Sequence, residues 1–177
     1  GETKPLEVNN IEKFLKTGEN KIRLELISSI KLPYSILVSY NSVKPANDPE
    51  CIIVVETKLA KEKTKMGETV RLKVKVKNVS ETNSPMTLAR IGIPGGLSFQ
   101  TWQLKELRDK KIFAFYETNP REIICYFNFI AAKSEVEFPI DLVATIPGDY
   151  VGPASSGYLY YTDDKKNWAE PLKIVIK

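Results

Sequence analysis

Hydrophobic and polar residues alternate with period two along most of this chain. The clearest run is "TVRLKVKVKNV". Val70, Leu72, Val74 and Val76 take one phase, and Arg71, Lys73, Lys75 and Lys77 take the other. Successive side chains of a strand point to opposite faces, so this spacing predicts a half-buried strand. The same pattern predicts strands over "NKIRLELI", "PYSILVSY", "ECIIVVETKLA", "MTLARIGI", "REIICYFNF", "SEVEFPIDLVAT", "SSGYLYYT" and "EPLKIVIK". Turn signals separate them: "KMGE", "ETNSP", "IPGG", "TNPR", "IPGDYVGP" and "TDDKKN". Many short strands at this spacing predict an all-β antiparallel sandwich. "SFQTWQLKELRDKK" breaks the alternation. Trp102, Leu104 and Leu107 recur at mixed two- and three-residue intervals among good helix formers. The reading is one short amphipathic helix over Thr101 to Asp109, capped by Ser98 or Thr101, crossing between strands.

"NSVKPANDPE", Asn41 to Glu50, is rich in Pro, Asn and Asp and reads as a linker. It sets off residues 1–45 as a partial β module from a sandwich over residues 50–177. A first segment of about 40 residues is too short to bury a core alone. The polar opening "GETKPLEVNN" has no signal-peptide pattern, and the chain is read as a fragment of something longer.

Composition changes the picture chiefly through one absence. The chain has no histidine. Neither Ser-His-Asp nor Cys-His catalysis can be assembled, nor the usual His-containing zinc sites. Two cysteines are too few for an all-Cys site, so no metal, cofactor or catalytic residue is expected, and the chain is not read as an enzyme. Cys51 and Cys125 are open between a disulfide and two buried thiols. The net charge of +4 and a 27% charged fraction describe an ordinary mixed surface. They argue for neither nucleic acid nor anionic lipid. No apolar run reaches the roughly 20 residues of a membrane span.

Several local features invite chemistry. The lysine stripe on 69–78 reads first as a solvated strand face. Tyr158 to Lys166 mixes aromatics with cations, as single-strand nucleic-acid sites do, but Asp163 and Asp164 oppose that use. Those aspartates fit a hairpin turn better than a calcium site. A carboxylate pair for glycoside hydrolysis is not singled out among the many Asp and Glu. Asn78-Val79-Ser80 is an N-glycosylation sequon, meaningful only in a secreted eukaryotic protein.

The order "GETVRLKVKVKN", "MTLARIGIPGGLSF", "LKEL", "FYET", "IICYF", "ASSGYLYYTDDKKNWAEPLKIVI" resembles the C-terminal receptor-binding-type domain of alpha-2-macroglobulin family proteins. "IGIPGGL" and "YLYYTDDKKNWAEPLKI" carry most of the likeness. "FLKTGENKIRLELISSIKLPYSILVSYN" resembles the segment that completes the family's CUB-like module. The resemblance implies an immunoglobulin-like, macroglobulin-like sandwich with one crossover helix. It also implies a structural and interaction role, in an extracellular, periplasmic or cell-envelope parent of bacterial style that traps proteases. The implied partners are other domains of that parent, above all a thioester-type domain, and proteases through the parent. Receptor docking in the family uses two lysines one helical turn apart. Lys105 matches the second, and Thr101 stands where the first would be. Lys105, Lys110 and Lys111 are the candidate docking residues. The resemblance also places Tyr158 or Tyr160 inside the sandwich, with Tyr161 and Trp168 as edge packing. The family's thioester motif and bait region are missing from this chain. The competing reading is a generic adhesion or carbohydrate-binding module.

Overall fold

The computed structural model describes residues 10–23, 25, 27 and 41–177. The chain divides into two compact units, 1–39 and 40–177. In the first, Ile11–Phe14 forms a 3-10 turn that buries none of its residues. The strand expected over "PYSILVSY", and Leu24 and Leu26 of "NKIRLELI", lie outside the described residues.

The second unit is built from twelve strands and one helix. A four-stranded sheet has the order β1-β3-β8-β5, from β1 (Ile53–Leu59), β3 (Thr69–Asn78), β8 (Glu135–Ala144) and β5 (Leu97–Phe99). A five-stranded sheet has the order β11-β10-β4-β7-β6, from β11 (Asn167–Trp168), β10 (Ser156–Leu159), β4 (Thr87–Gly92), β7 (Glu122–Phe127) and β6 (Phe115–Asn119). Both are antiparallel and pack as a sandwich. The final strand departs from the all-antiparallel expectation. β12 (Lys173–Ile176) joins neither large sheet but forms a small one, parallel to β2 (Lys63–Thr64) and antiparallel to β9 (Gly148–Val151). Ile174 and Ile176 still reach the common core, so the period-two reading of "LKIVIK" holds while its neighbours differ.

The alternation decides the core. Val70, Leu72, Val74 and Val76 of β3 are fully buried between the sheets, together with Ile53, Ile91, Ile123, Phe138, Ile140 and Leu142. Phe113 fills the centre, edge-on to Phe127 and Phe138.

"GIPGG", Gly92 to Gly96, and "IPGDYVGP" pack against each other, which explains their glycines. A Cβ on Gly92 would lie 2.0 Å from the Pro153 carbonyl oxygen, and Gly96 sits at φ 77° beneath the Tyr150 ring. The expected linker is no free tether. The Asp48 amide donates to the Lys166 carbonyl at 2.9 Å, and the Trp168 amide donates to Asn47 Oδ1 at 2.7 Å. Residues from Lys44 onward thus edge the sandwich beside β11, with Lys44 paired to Glu170 and Lys165 to Glu50.

Helix α1 (Thr101–Asp109) leaves β5 of one sheet and delivers the chain to β6 of the other. Its N-cap is Gln100 with no side-chain cap bond, so neither Ser98 nor Thr101 caps it. Ser98 lies in β5 instead, its hydroxyl 3.4 Å from that of Thr145. The helix is anchored by Gln103. Its amide donates to the Asp141 carbonyl and accepts from the Asp141 amide, both at 2.9 Å. β5 pairs with β8 only as far as Phe99 and Leu142. The Gln103 side chain therefore supplies the next pair of ladder bonds after the main chain has turned away.

Candidate interaction site

The exposed face of α1 carries the predicted lysines. Leu104 is buried and Leu107 half-buried against the sandwich, which turns Trp102, Lys105, Glu106 and Asp109 outward. Trp102 is 61% exposed and lies one turn before Lys105. Lys105 has no ion-pair partner among the described residues. Lys110 does: its Nζ lies 2.6 Å from Glu106 Oε1, an i,i+4 pair. Lys111 serves the helix end. It sits at φ 59°, its amide donates to the Arg108 carbonyl, and the Ile112 amide donates to that of Leu107. This is a Schellman closure with lysine where glycine is usual. The structure therefore separates the three cations into one free on the face, one paired and one occupied in termination.

Sequence reasoning missed a second surface. The outer face of the five-stranded sheet is aromatic. Tyr158 is only 7% exposed, but it packs on this outer face with Leu88, Ile124 and Tyr126, not between the sheets. Gly157 takes the inward phase, where a Cβ would meet Ile53 at 3.0 Å. This corrects the expectation that Tyr158 or Tyr160 lies inside the sandwich. The Lys166 ammonium caps the Tyr158 ring, 4.7 Å from its centroid. Tyr160 is exposed, and Tyr161 is 80% exposed with its ring 4.9 Å from that of Tyr160. Across the sheet, Phe115 lies 5.7 Å from Tyr126, whose hydroxyl donates to Glu117 at 3.0 Å. Burial, reinforced by Glu117, raises the Tyr126 pKa. Phe115, Glu117, Tyr126, Tyr160 and Tyr161 wall a shallow groove of about 390 Å³ that Met86 and Asn128 also line. Arg90 and Glu122 form a bidentate pair at 2.8 Å beside the cluster, and that pair holds the guanidinium charged. The available signal was aromatics on the outward phase of both "FAFYE" and "YLYY".

Other sequence candidates resolve locally. Asp163 and Asp164 occupy the turn between β10 and β11, closed by the Lys165 amide on the Thr162 carbonyl. Tyr158, buried under Lys166, offers no stacking platform. Arg71 and Lys75 of the lysine stripe pair across strands with carboxylates of β8. Asn78 of the sequon is fully buried. Its amide nitrogen contacts the carbonyls of Thr82, Ile130 and Ala131 at 2.8 to 3.2 Å, which leaves it closed to modification in the folded chain. Cys51 and Cys125 are free thiols, and burial raises the pKa of each. Among the described residues no Cys, Asp and Glu side chains gather as a metal site. Among the same residues no helix is long and apolar enough to cross a membrane.

With this geometry in hand, comparison with known proteins gives three findings. The pattern of the A-macroglobulin receptor binding domain matches residues 82–170. No curated protein sequence matches the chain. Among solved structures, trypsin-activated alpha-2-macroglobulin from Escherichia coli aligns at 14% identity with a TM-score of 0.60, covering 75% of this chain and 11% of that one. Native E. coli alpha-2-macroglobulin aligns at 14% identity and TM-score 0.60, covering 82% of this chain and 10% of that one. Salmonella alpha-2-macroglobulin reacted with methylamine gives 15% identity and TM-score 0.58, covering 75% and 10%. This chain thus spans about a tenth of the length of these structures.

Proposed function

The chain belongs to the A-macroglobulin receptor binding domain family, and from that premise we propose that it is the non-catalytic C-terminal structural and interaction domain of an alpha-2-macroglobulin-like protease-trapping or defence protein. One observation carries the reading: the receptor binding domain pattern runs through residues 82–170, across the helix and strands of both large sheets. In a sandwich of this kind the surfaces, not the fold, do the work. Residues 1–45 would complete a CUB-like module, and the parent would be extracellular, periplasmic or in the cell envelope. The aromatic face of the five-stranded sheet suits packing against a neighbouring domain of the thioester type, since exposed apolar patches mark interaction surfaces. The α1 face, with Trp102 beside Lys105, suits a second contact. Lys110 and Lys111 contribute charge to its rim.

The test uses the full-length parent. Limiting trypsin should compact it, measured by hydrodynamic radius, and should leave the protease bound yet shielded from macromolecular substrates. Cleavage with neither compaction nor retention overturns the proposal. Methylamine treatment with thiol titration then sorts the mechanism. A new thiol with one amine added marks a covalent trap, and no change marks trapping by shape alone.

A further inference from the structure

The outer face of the four-stranded sheet is organised as cross-strand rows of charge. The register sets Lys77 opposite Glu135, Lys75 between Glu56 and Glu137, and Arg71 opposite Asp141. Contacts follow. Arg71 grips Asp141 at 2.7 and 2.8 Å, and Lys75 reaches Glu135 at 3.0 Å and Glu137 at 3.5 Å. The Arg71 bonds hold the Asp141 carboxyl below the usual carboxylate range.

One row breaks this order. Lys58 of β1 stands directly opposite Lys73 of β3, and the next position across, on β8, is Pro139. Both lysines are exposed, and neither has an ion-pair partner among the described residues. Like charges directly opposed across a ladder are destabilising, and a carboxylate at any position of the row would relieve them. Protection of a sheet edge explains Lys58, because β1 ends its sheet. It does not explain Lys73, because β3 is paired on both sides. A local rule broken without compensation in the fold points to function. A depression of about 390 Å³ lies at this place, lined by Glu56, Thr57, Lys58, Lys73, Lys75 and Glu137.

We propose that the Lys58–Lys73 row is a docking point for a short acidic segment of a partner protein, whose carboxylates complete the row. Charge complementarity selects the occupant. Glu56 and Glu137 on one side and Asp141 on the other are balanced by Lys75 and Arg71, so the surplus charge is only the two lysines wide. A long uniform polyanion, such as nucleic acid or a sulfated polysaccharide, finds no unpaired cations along the rest of its length. A segment presenting one or two carboxylates meets only the unpaired cations.

The experiment uses the isotope-labelled full chain and the probe peptide Gly-Glu-Glu-Glu-Glu-Gly, titrated at low salt and followed by amide chemical shifts. Perturbed amides should centre on β1 and β3 around Lys58 and Lys73. The Lys58→Gln/Lys73→Gln double variant should bind at least about tenfold more weakly, from the loss of two charge-assisted contacts. Lys63→Gln, on β2, should bind as the parent does. Lys73→Glu should abolish binding and raise the thermal midpoint, because it gives Lys58 a cross-strand carboxylate. Shifts centred elsewhere, undiminished binding in the double variant, or a midpoint that fails to rise would each overturn the proposal. So would tighter binding of a heparin-derived hexasaccharide to the same face, which would assign the row to polyanions.

Discussion

Thr57 shows how far one residue can stand from its neighbours' logic. It takes the inward phase of β1, between Val55 and Leu59, and its hydroxyl is buried without a hydrogen-bond partner. A buried hydroxyl left unsatisfied costs about 1 to 3 kcal/mol. Valine has the same shape and suits a strand. Thr57→Val should therefore stabilise the chain by about 1 kcal/mol, read as a higher denaturant midpoint at unchanged slope. Alternation along β1 sets position 57 in the inward phase but carries no sign that its oxygen lacks a partner, because that depends on what the opposite sheet presents. Asn78 is the converse. Its sequon reading was local, whereas its buried amide is held by carbonyls about fifty residues away in sequence as well as nearby ones.

At the scale of elements, the helix was legible from spacing alone, over Thr101–Asp109, but its attachments were not. Its start has no side-chain cap, and its position depends on Gln103 mimicking a strand against Asp141. Gln103→Ala should cost about 2 kcal/mol, since two part-buried backbone groups of β8 lose their partners. Chemical denaturation reads this directly, and helix content by circular dichroism should stay near that of the parent chain. Nothing in "TWQLKELRDKK" announces the contact, because it joins residues 38 positions apart. The sorting of Lys105, Lys110 and Lys111 was equally hidden. One pairs with a side chain one turn back, and another takes a left-handed conformation that a helix end requires.

At the scale of the whole molecule, titration follows from what is present and what is missing. With no histidine, and with both thiols raised by burial, neither imidazole nor thiol chemistry titrates between about pH 5 and 8. Glu68 accepts bonds from Lys61, Thr64 and the Lys65 amide, which hold its carboxyl at about 2 against an ordinary 4.5. Asp141 is lowered by Arg71. Folded values below unfolded ones mean that this stability is present at neutral pH and is lost as the pH falls through the folded values. The thermal midpoint should be flat from about pH 5 to 8 and should decline from about 4.5 toward 2, and Glu68→Gln should shallow that decline. A midpoint that varies across the neutral range, or an acid limb unchanged in the variant, would contradict this account. The sequence by itself determined the helix, the strands β1, β3, β4, β7, β8, β10 and β12 and most of their inward residues, because period-two and helical spacing are local properties of the chain, whereas the short strands β2, β5, β6, β9 and β11 carry too little of the pattern to be read. It determined the exclusion of histidine chemistry by composition. Only the tertiary structure decided which sheet each strand joins, that Tyr158 faces outward while Gly157 faces the core, and that Lys58 meets Lys73 unopposed. Those outcomes depend on register and on distant neighbours, and a pattern read along one chain carries no information about what stands across from it.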